Sequence, residues 1–523
     1  MNKKLIVFLS IFSLFLTLPL IPVNAAAKAG GACTKAGITS VTSGKTYTCV
    51  KSGKKLVWDK GLIISQNKST SPTNKPGSEF VFESICQHDP NVPTEWKAVE
   101  LAAINNVGCA HPFRYLQGTT DFGEPKSNLS TESDLKPISA CKVSDTKGRP
   151  YRYADFPRSS SIYTPAISAN IQVVPIQFSD LTANTNPEAD YGSYFKYVTD
   201  YLVNTSDVLI TPKTSIYPSY IQLGKKIDFY NSNGQNLADE HGSVNSFIDD
   251  VLSAISGKID LSKTDQLVIV PPPSAKPNQV RFHMNFYRNL NNQLGRVLSI
   301  YLYGSISTDQ TQDRYYGFDP FIYVHEQLFH QMGLDDEYGT WNESGPSSLG
   351  SNPTLEQIGM GFWGNMSSAN LELLAWDKWK VGFITDSQVL CINPQISTVN
   401  WLRPSTTKGN FTKIAVIPIS SSKAIVVESE RSTGYNFKLP TNLNGLLVYQ
   451  VDQELINGGS NNKFGLGVHL LLPSNRKTEQ FTNGFLYGDA RLIKGDYIDI
   501  AGLRITNIES GTFGDVVKIE KIA

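Results

Sequence analysis

Two histidines, a glutamate and an aspartate stand close together in the string YVHEQLFHQMGLDDEYG, residues 323–339. These are the residue types that hold a divalent metal and move a proton. His325 and His330 offer imidazole nitrogens, Asp336 offers a carboxylate, and Glu326 sits beside the first histidine. In the usual zinc-hydrolase helix, H-E-x-x-H-x-x-G-x-x-H/D, the two imidazoles lie one turn apart and share a face, and the glutamate between them takes a proton from water. Positions four apart differ by only about 40° around an α-helix, whereas positions five apart differ by about 140°. His325 and His330 are five apart, so a regular α-helix would turn one of them away. One inserted residue, absorbed as a π turn with i to i+5 hydrogen bonding, would bring both back to one face.

Two registers follow. In the insertion register His325, His330 and Asp336 are the metal ligands and Glu326 is the general base. In the substitution register, counted back from His330, Glu326 takes the first ligand position and Gln327 replaces the base; a glutamine cannot accept the proton, and the site is then a metal-binding relic. The insertion register is preferred because a single event preserves both VHE and HQMGLDDEY. Gly333, three residues after the second histidine, lets the chain leave the helix sharply. Asp336 then arrives where a third ligand is needed, with Asp335 and Glu337 as close rivals.

These residues, with Leu334 and Tyr338, resemble the immune inhibitor A family of secreted bacterial metalloproteases, whose helix runs H-E-x-x-H-x-x-G-L-x-D-x-Y. A zinc helix of the form H-E-x-x-x-H has a precedent in dipeptidyl-peptidase III proteins. Further pieces are collinear with the immune inhibitor A pattern. WGNMSSANLELLAWDKWKVGF resembles its methionine turn and following helix, which implies that Met366 lies beneath the metal. AIVVESERSTGYNFKLPTNLNGLLVYQVDQ resembles its V-E-N-R-Q and G-L-L-I-Y-H-V-D strands, IQVVPIQFSD its first core strand, and SIYPSYIQLGKKIDFY its S-Y-G-K-L segment. The resemblance spans about residues 160 to 523. It departs from the family at the inserted residue of the helix and between Tyr220 and Gly224. It implies a secreted zinc-dependent endopeptidase acting on a protein or peptide substrate, with Zn2+ as cofactor and Ca2+ as a second candidate cation, for which Asp180, Asp313 and Asp319 are possible ligands without EF-hand spacing. Tyr338 is a candidate for oxyanion stabilisation, with packing as its plainer role.

The elements that must position these side chains follow from pattern. IQVVPIQF and DQLVIVPPP read as buried strands, the second stopped by prolines, and SVNSFIDDVLSAISG as an amphipathic helix. Strand, helix, strand and then the metal helix fit an α/β zincin-like, metzincin-related catalytic domain over residues 160–385. From 386 to 523 short alternating strands separated by Gly, Asn and Ser, as in GDYIDIAGLRITNIESGTFGDVVKIEK, predict a C-terminal β-sandwich.

The front of the chain is built differently. Lys3 and Lys4, an apolar run from Leu5 to about Val23, and small residues at Ala25 to Ala27 read as an export signal over 1–27, with an uncleaved anchor as the alternative. A secreted or cell-surface location follows, without stable membrane association once the signal is removed. Residues 28–62 form a small module whose Cys33 and Cys49 are expected to pair, because so short a unit cannot bury a sufficient core. This module is a candidate for contact with a cell surface. A Ser-, Thr- and Pro-rich linker covers 63–79, and 80–159 is an accessory or pro-segment region with an amphipathic helix at TEWKAVELAAINNVG. Cys86 with Cys109 is the natural local pair there, which leaves Cys141 for Cys391.

Forty-seven basic residues balance forty-seven acidic ones, so no electrostatic case exists for a nucleic-acid partner. Twenty-three tyrosines and twenty-five phenylalanines supply an ample aromatic core. The rival reading, a catalytically inactive protease-like surface protein that binds cell-wall material or a protein, turns on which of His325 and Glu326 points at His330.

Overall fold

The computed structural model describes residues 28–33, 39–42, 45–53, 55–60, 62–63, 123–145, 156, 169–230, 243–275, 285–289, 297–302, 323–330, 332–339, 354–368, 371–436, 439, 441–455, 467–482 and 485–522. The expected export signal, the linker, the helix at 94–108 and the Cys86–Cys109 pair lie outside them. The chain divides into two compact units, 1–80 and 81–523.

In the first unit, β1 (Thr39–Thr42), β2 (Lys45–Ser52), β3 (Lys55–Trp58) and β4 (Leu62–Ile63) form one small antiparallel sheet in which β2 pairs with the other three. Leu56, Val57 and Trp58 are only half buried. A disulfide joins Cys33 to the buried Cys49, a cross-link of the kind on which units this short rely.

The second unit begins with a mixed sheet. Strand β5 (Asn170–Gln177) lies parallel to β6 (Lys213–Ile216), β7 (Ile221–Gln222) and β8 (Gln266–Val270), and β8 is in turn parallel to β10 (Val297–Leu302). β9 (Asn285–Asn289) closes this edge antiparallel to β10. β8 is buried along its whole length, as its unbroken QLVIV requires for a strand covered on both faces. On one face Ile171, Val173, Val268 and Val270 meet helix α1 (Pro187–Thr205) and the histidine-bearing segment. On the other, Val174, Ile176, Leu267 and Ile269 meet α2 (Ile227–Tyr230) and α3 (Ser243–Ile255). The period-2 alternation along β5 thus divides two cores.

Sequence reasoning passed over α1, although its signals are present. Asn186 accepts a hydrogen bond from the Ala189 amide at 2.9 Å and Pro187 occupies the first turn. Tyr191, Phe195, Val198, Tyr201 and Leu202 recur at helical spacing and are all buried against the sheet.

After three short helices, α4 (Leu355–Ile358), α5 (Asn365–Ser368) and α6 (Ala375–Val381), the chain turns to strands. β11 (Val389–Cys391), β13 (Ile414–Pro418), β14 (Lys423–Glu430), β15 (Gly445–Asp452) and β16 (Val468–Leu470) form one sheet, antiparallel except for the β11–β13 pair. β12 (Thr398–Leu402), β21 (Gly514–Lys521), β20 (Leu503–Gly511) and β19 (Tyr497–Ile500) form a second, antiparallel sheet. Ala415, Ile417, Ile425, Val427, Leu446 and Val448 of the first share a core with Leu402, Ile498, Ile505, Val517 and Ile519 of the second. The opposite face of the first sheet, through Val416, Val426, Leu447 and Tyr449, packs on Trp363, Trp376 and Trp379. This core is continuous across position 385. A short hairpin, β17 (Phe481–Thr482) with β18 (Phe485–Leu486), completes the strands.

Residues 123–145 strap the edges of these sheets. Ser130 and Val399 exchange hydrogen bonds, the Lys136 amide donates to the Cys391 carbonyl at 2.8 Å, and Cys141 is disulfide-bonded to Cys391. Among the described residues no helix is long and apolar enough to cross a membrane.

Candidate metal centre

His325 lies in a π segment, Val324–Phe329, and His330 follows it directly; Tyr323 and His330, on either side, have right-handed helical backbones. The His330 amide donates to the His325 carbonyl at 3.3 Å, and the Leu334 amide to the Phe329 carbonyl at 3.0 Å; both are i to i+5 bonds. The turn here is wider than an α-helical one by the inserted residue, and the imidazoles meet with ring centroids 5.0 Å apart. Val324, Leu328 and Phe329 of this segment, and Met332 beyond it, lie in the core shared with α1. At Gly333 the backbone adopts φ +82°, a conformation that suits glycine, and the chain doubles back so that Asp336 faces both rings.

The His325 Nε2 lies 3.1 Å from Asp336 Oδ1, and the His330 Nε2 lies 3.3 Å from the same oxygen. These three are the one group among the described residues whose donor atoms cluster closely enough to hold an ion, all within 4.8 Å of one another. Each imidazole is oriented from behind: His325 Nδ1 contacts the Asn365 carbonyl at 2.7 Å, and His330 Nδ1 the Leu334 carbonyl at 2.9 Å. A carbonyl only accepts, so each Nδ1 carries a hydrogen, and a ring in its neutral form presents an Nε2 lone pair to Asp336. Two nitrogen lone pairs facing a carboxylate oxygen repel unless a cation lies among them or the rings take up protons. Ligand atoms about 2.0–2.1 Å from a tetrahedral zinc are spaced about 3.3 Å apart, which matches the two separations found here. The donor set, two borderline nitrogens and one oxygen, fits zinc.

Burial grades across the site. The side chain of His325 is 5% exposed, Asp336 12% and His330 21%, so the cluster opens to solvent on the His330 side. With no cation among them and the rings protonated, burial alone would raise the Asp336 carboxyl, but hydrogen bonds from His325 and His330 outweigh it and hold Asp336 well below the usual carboxylate range. Asp335 is pushed up by burial and by the neighbouring Asp336 charge. Glu337 is pushed far up, first by burial and then by Asp377. Of the three acids considered for the third ligand, Asp336 alone joins the histidines; Glu337 turns inward among Asp377 and Lys380.

The other expected residues are distributed as follows. Met366 is fully buried in the same core as Val324 and Leu328, and its carbonyl accepts from the Glu337 amide at 2.8 Å. Tyr338 donates to Asp336 Oδ2 at 2.8 Å. Glu326 lies within the π segment, and its side chain is outside the described residues. Asp180 accepts from the Ile227 amide at 2.9 Å and so caps α2, while Asp313 and Asp319 fall outside the described residues. Sequence reading missed Asn365, whose carbonyl orients His325; a backbone acceptor leaves no mark in a residue pattern. Its position one residue before Met366 was the available clue.

The chain matches no protein-family model, and no match is found among curated proteins.

Proposed function

We propose that the chain is an exported zinc-dependent endopeptidase with a zincin-like catalytic region, in which His325, His330 and Asp336 hold the metal and Glu326 is the general base. The observation that carries this reading is the convergence of two Nε2 atoms and one carboxylate oxygen, with both Nδ1 atoms engaged by backbone carbonyls. A zinc ion bound there would act as a Lewis acid and bring the acidity of water near neutrality. The Asn365 and Leu334 carbonyls fix the tautomers that present Nε2, and Asp336 supplies the negative charge that favours a cation over a neutral ligand. Glu326, adjacent to His325 in the chain, is the residue assigned to accept the proton of the attacking water and return it to the leaving amine. Peptide as the substrate class, and secretion, rest on the resemblance to the immune inhibitor A family and on the N-terminal apolar run. The inactive reading needs His325 to point away from His330, and the 5.0 Å approach of their rings weighs against it.

The test is zinc content and peptide hydrolysis of the purified protein. Wild type is expected to hold one zinc per chain and His325→Ala to lose it. Glu326→Gln should keep the metal while activity falls by about 10²–10⁴-fold, the usual range for a lost general base. Full activity in Glu326→Gln, or absence of zinc in wild type, refutes the proposal.

A further inference from the structure

The sequence offers Tyr338 two roles, oxyanion stabilisation or packing, and the structure gives its hydroxyl a third partner, the Asp336 carboxylate. It donates to Asp336 Oδ2 at 2.8 Å, while the other oxygen of the same carboxylate, Oδ1, faces both His325 Nε2 and His330 Nε2. The two oxygens of Asp336 are thus divided between two tasks. We propose that Tyr338 is a positioning residue that holds the Asp336 carboxylate to one-oxygen ligation, keeping the protein's contribution to three donor atoms. This rests on the metal centre proposed above and assigns the residue that controls how one of its ligands binds.

The physical case begins with the carboxylate. An Asp side chain rotates about χ2 with little resistance, and a bare carboxylate beside a divalent cation can offer one oxygen or both. A phenol hydrogen bond to Oδ2 opposes that rotation and draws charge from the oxygen that would otherwise become a second donor. Tyr338 follows Asp336 by two residues, and Gly339 beyond it has φ +57°, so the donor is carried by the same turn that delivers the ligand. The Glu337 amide and carbonyl between them are tied to the Met366 carbonyl and the Met360 amide, each at 2.8 Å. The turn is therefore held from behind, and the Tyr338–Asp336 pair keeps its separation. With three protein donors a tetrahedral metal retains one position for water or substrate; a fourth protein donor would fill it.

Tyr338→Phe removes the hydroxyl and keeps the ring. Hydrogen-bond partners of metal ligands contribute about 10–100-fold in affinity, so the variant should bind zinc about tenfold or more weakly in a chelator competition. Its cobalt(II)-substituted form should show a weaker visible absorption than wild type, the signature of a change from four towards five donors. Zinc-edge X-ray absorption of the wild-type protein tests the same point without any variant and should show a single carboxylate oxygen in the first shell. Wild-type zinc affinity with an unaltered cobalt spectrum in Tyr338→Phe, or two carboxylate oxygens around zinc in wild type, overturns the assignment. A wild-type protein that binds no zinc or cobalt instead overturns the metal centre itself, so the two failures are distinct.

Discussion

Each donor atom at the proposed centre is fixed by a neighbour that gives it no alternative. The Asn365 and Leu334 carbonyls orient the imidazoles and Tyr338 the carboxylate, and the turn that carries Leu334, Asp336 and Tyr338 is held against residues 358–366 through Glu337. Gly359 marks that approach: it has φ +52°, and a Cβ there would lie 2.3 Å from the Gly339 nitrogen and 2.6 Å from the Glu337 carbonyl oxygen. Neither atom is the end of a flexible side chain, so Gly359→Ala must displace the ligand-bearing turn. We expect about 1–3 kcal/mol of lost stability, as for backbone strain at a tightly determined site, together with weaker zinc binding. The control is Gly257→Ala, which shares a positive φ of +71° but whose Cβ would meet nothing within 4 Å. Urea unfolding and zinc titration of both variants separate strain from collision: equal zinc affinity in the two would show that the approach at Gly359 does not govern the site.

At the scale of elements, the five-residue histidine spacing is accommodated by one π turn, and the rest of the segment keeps its apolar face on α1. A π turn amounts to one residue inserted into an α-helix, so removing a residue inside it should restore the regular form. Deletion of Gln327 leaves H-E-L-F-H, with the histidines four apart. Zinc content and affinity are expected to remain within about tenfold of wild type, because about 40° of rotation still leaves both rings on one face; loss of zinc would mean that the π geometry is itself required. The histidine spacing, β5, β8, α3 and the glycine at the turn were legible in the sequence because each is a local pattern of period or residue type. α1 was legible in the same terms, through Asn186, Pro187 and the spacing of its aromatics, and was passed over. The carbonyls behind the histidines and the division of oxygens at Asp336 were not legible, since they depend on which distant loops meet. The antiparallel β9 edge likewise depends on pairing between segments, which period alone does not specify.

Across the second unit, buried polar groups connect the centre to the C-terminal sheet. His325 contacts the Asn365 carbonyl, the Asn365 amide donates to the Glu372 carbonyl, the Glu372 amide to Asn436 Oδ1, and Asn436 Nδ2 to Glu430 Oε2 at the end of β14. Tyr435, next to Asn436, packs edge-on against Tyr201 of α1 at 4.5 Å, inside the core that carries the π segment. The segment between β14 and β15 is therefore tied to the elements that carry the His325–His330–Asp336 cluster, and the strands after 385 are more than an appendage. Glu430 is the ionisable end of this path. Burial pushes its carboxyl up to about 7 from an ordinary 4.5, against the opposing pull of Lys378. The native state then keeps this proton to a higher pH than the unfolded chain does. Between pH about 4.5 and about 7 the native state binds more protons, so the contribution of Glu430 to stability falls as pH rises and levels off above its folded value. Glu430→Gln keeps an acceptor for Asn436 and cannot ionise, so it should lose stability less steeply from pH 5 to pH 7 than wild type does. Urea midpoints at pH 5, 6 and 7 check this; parallel profiles for the two proteins would show that Glu430 does not change its protonation across that interval.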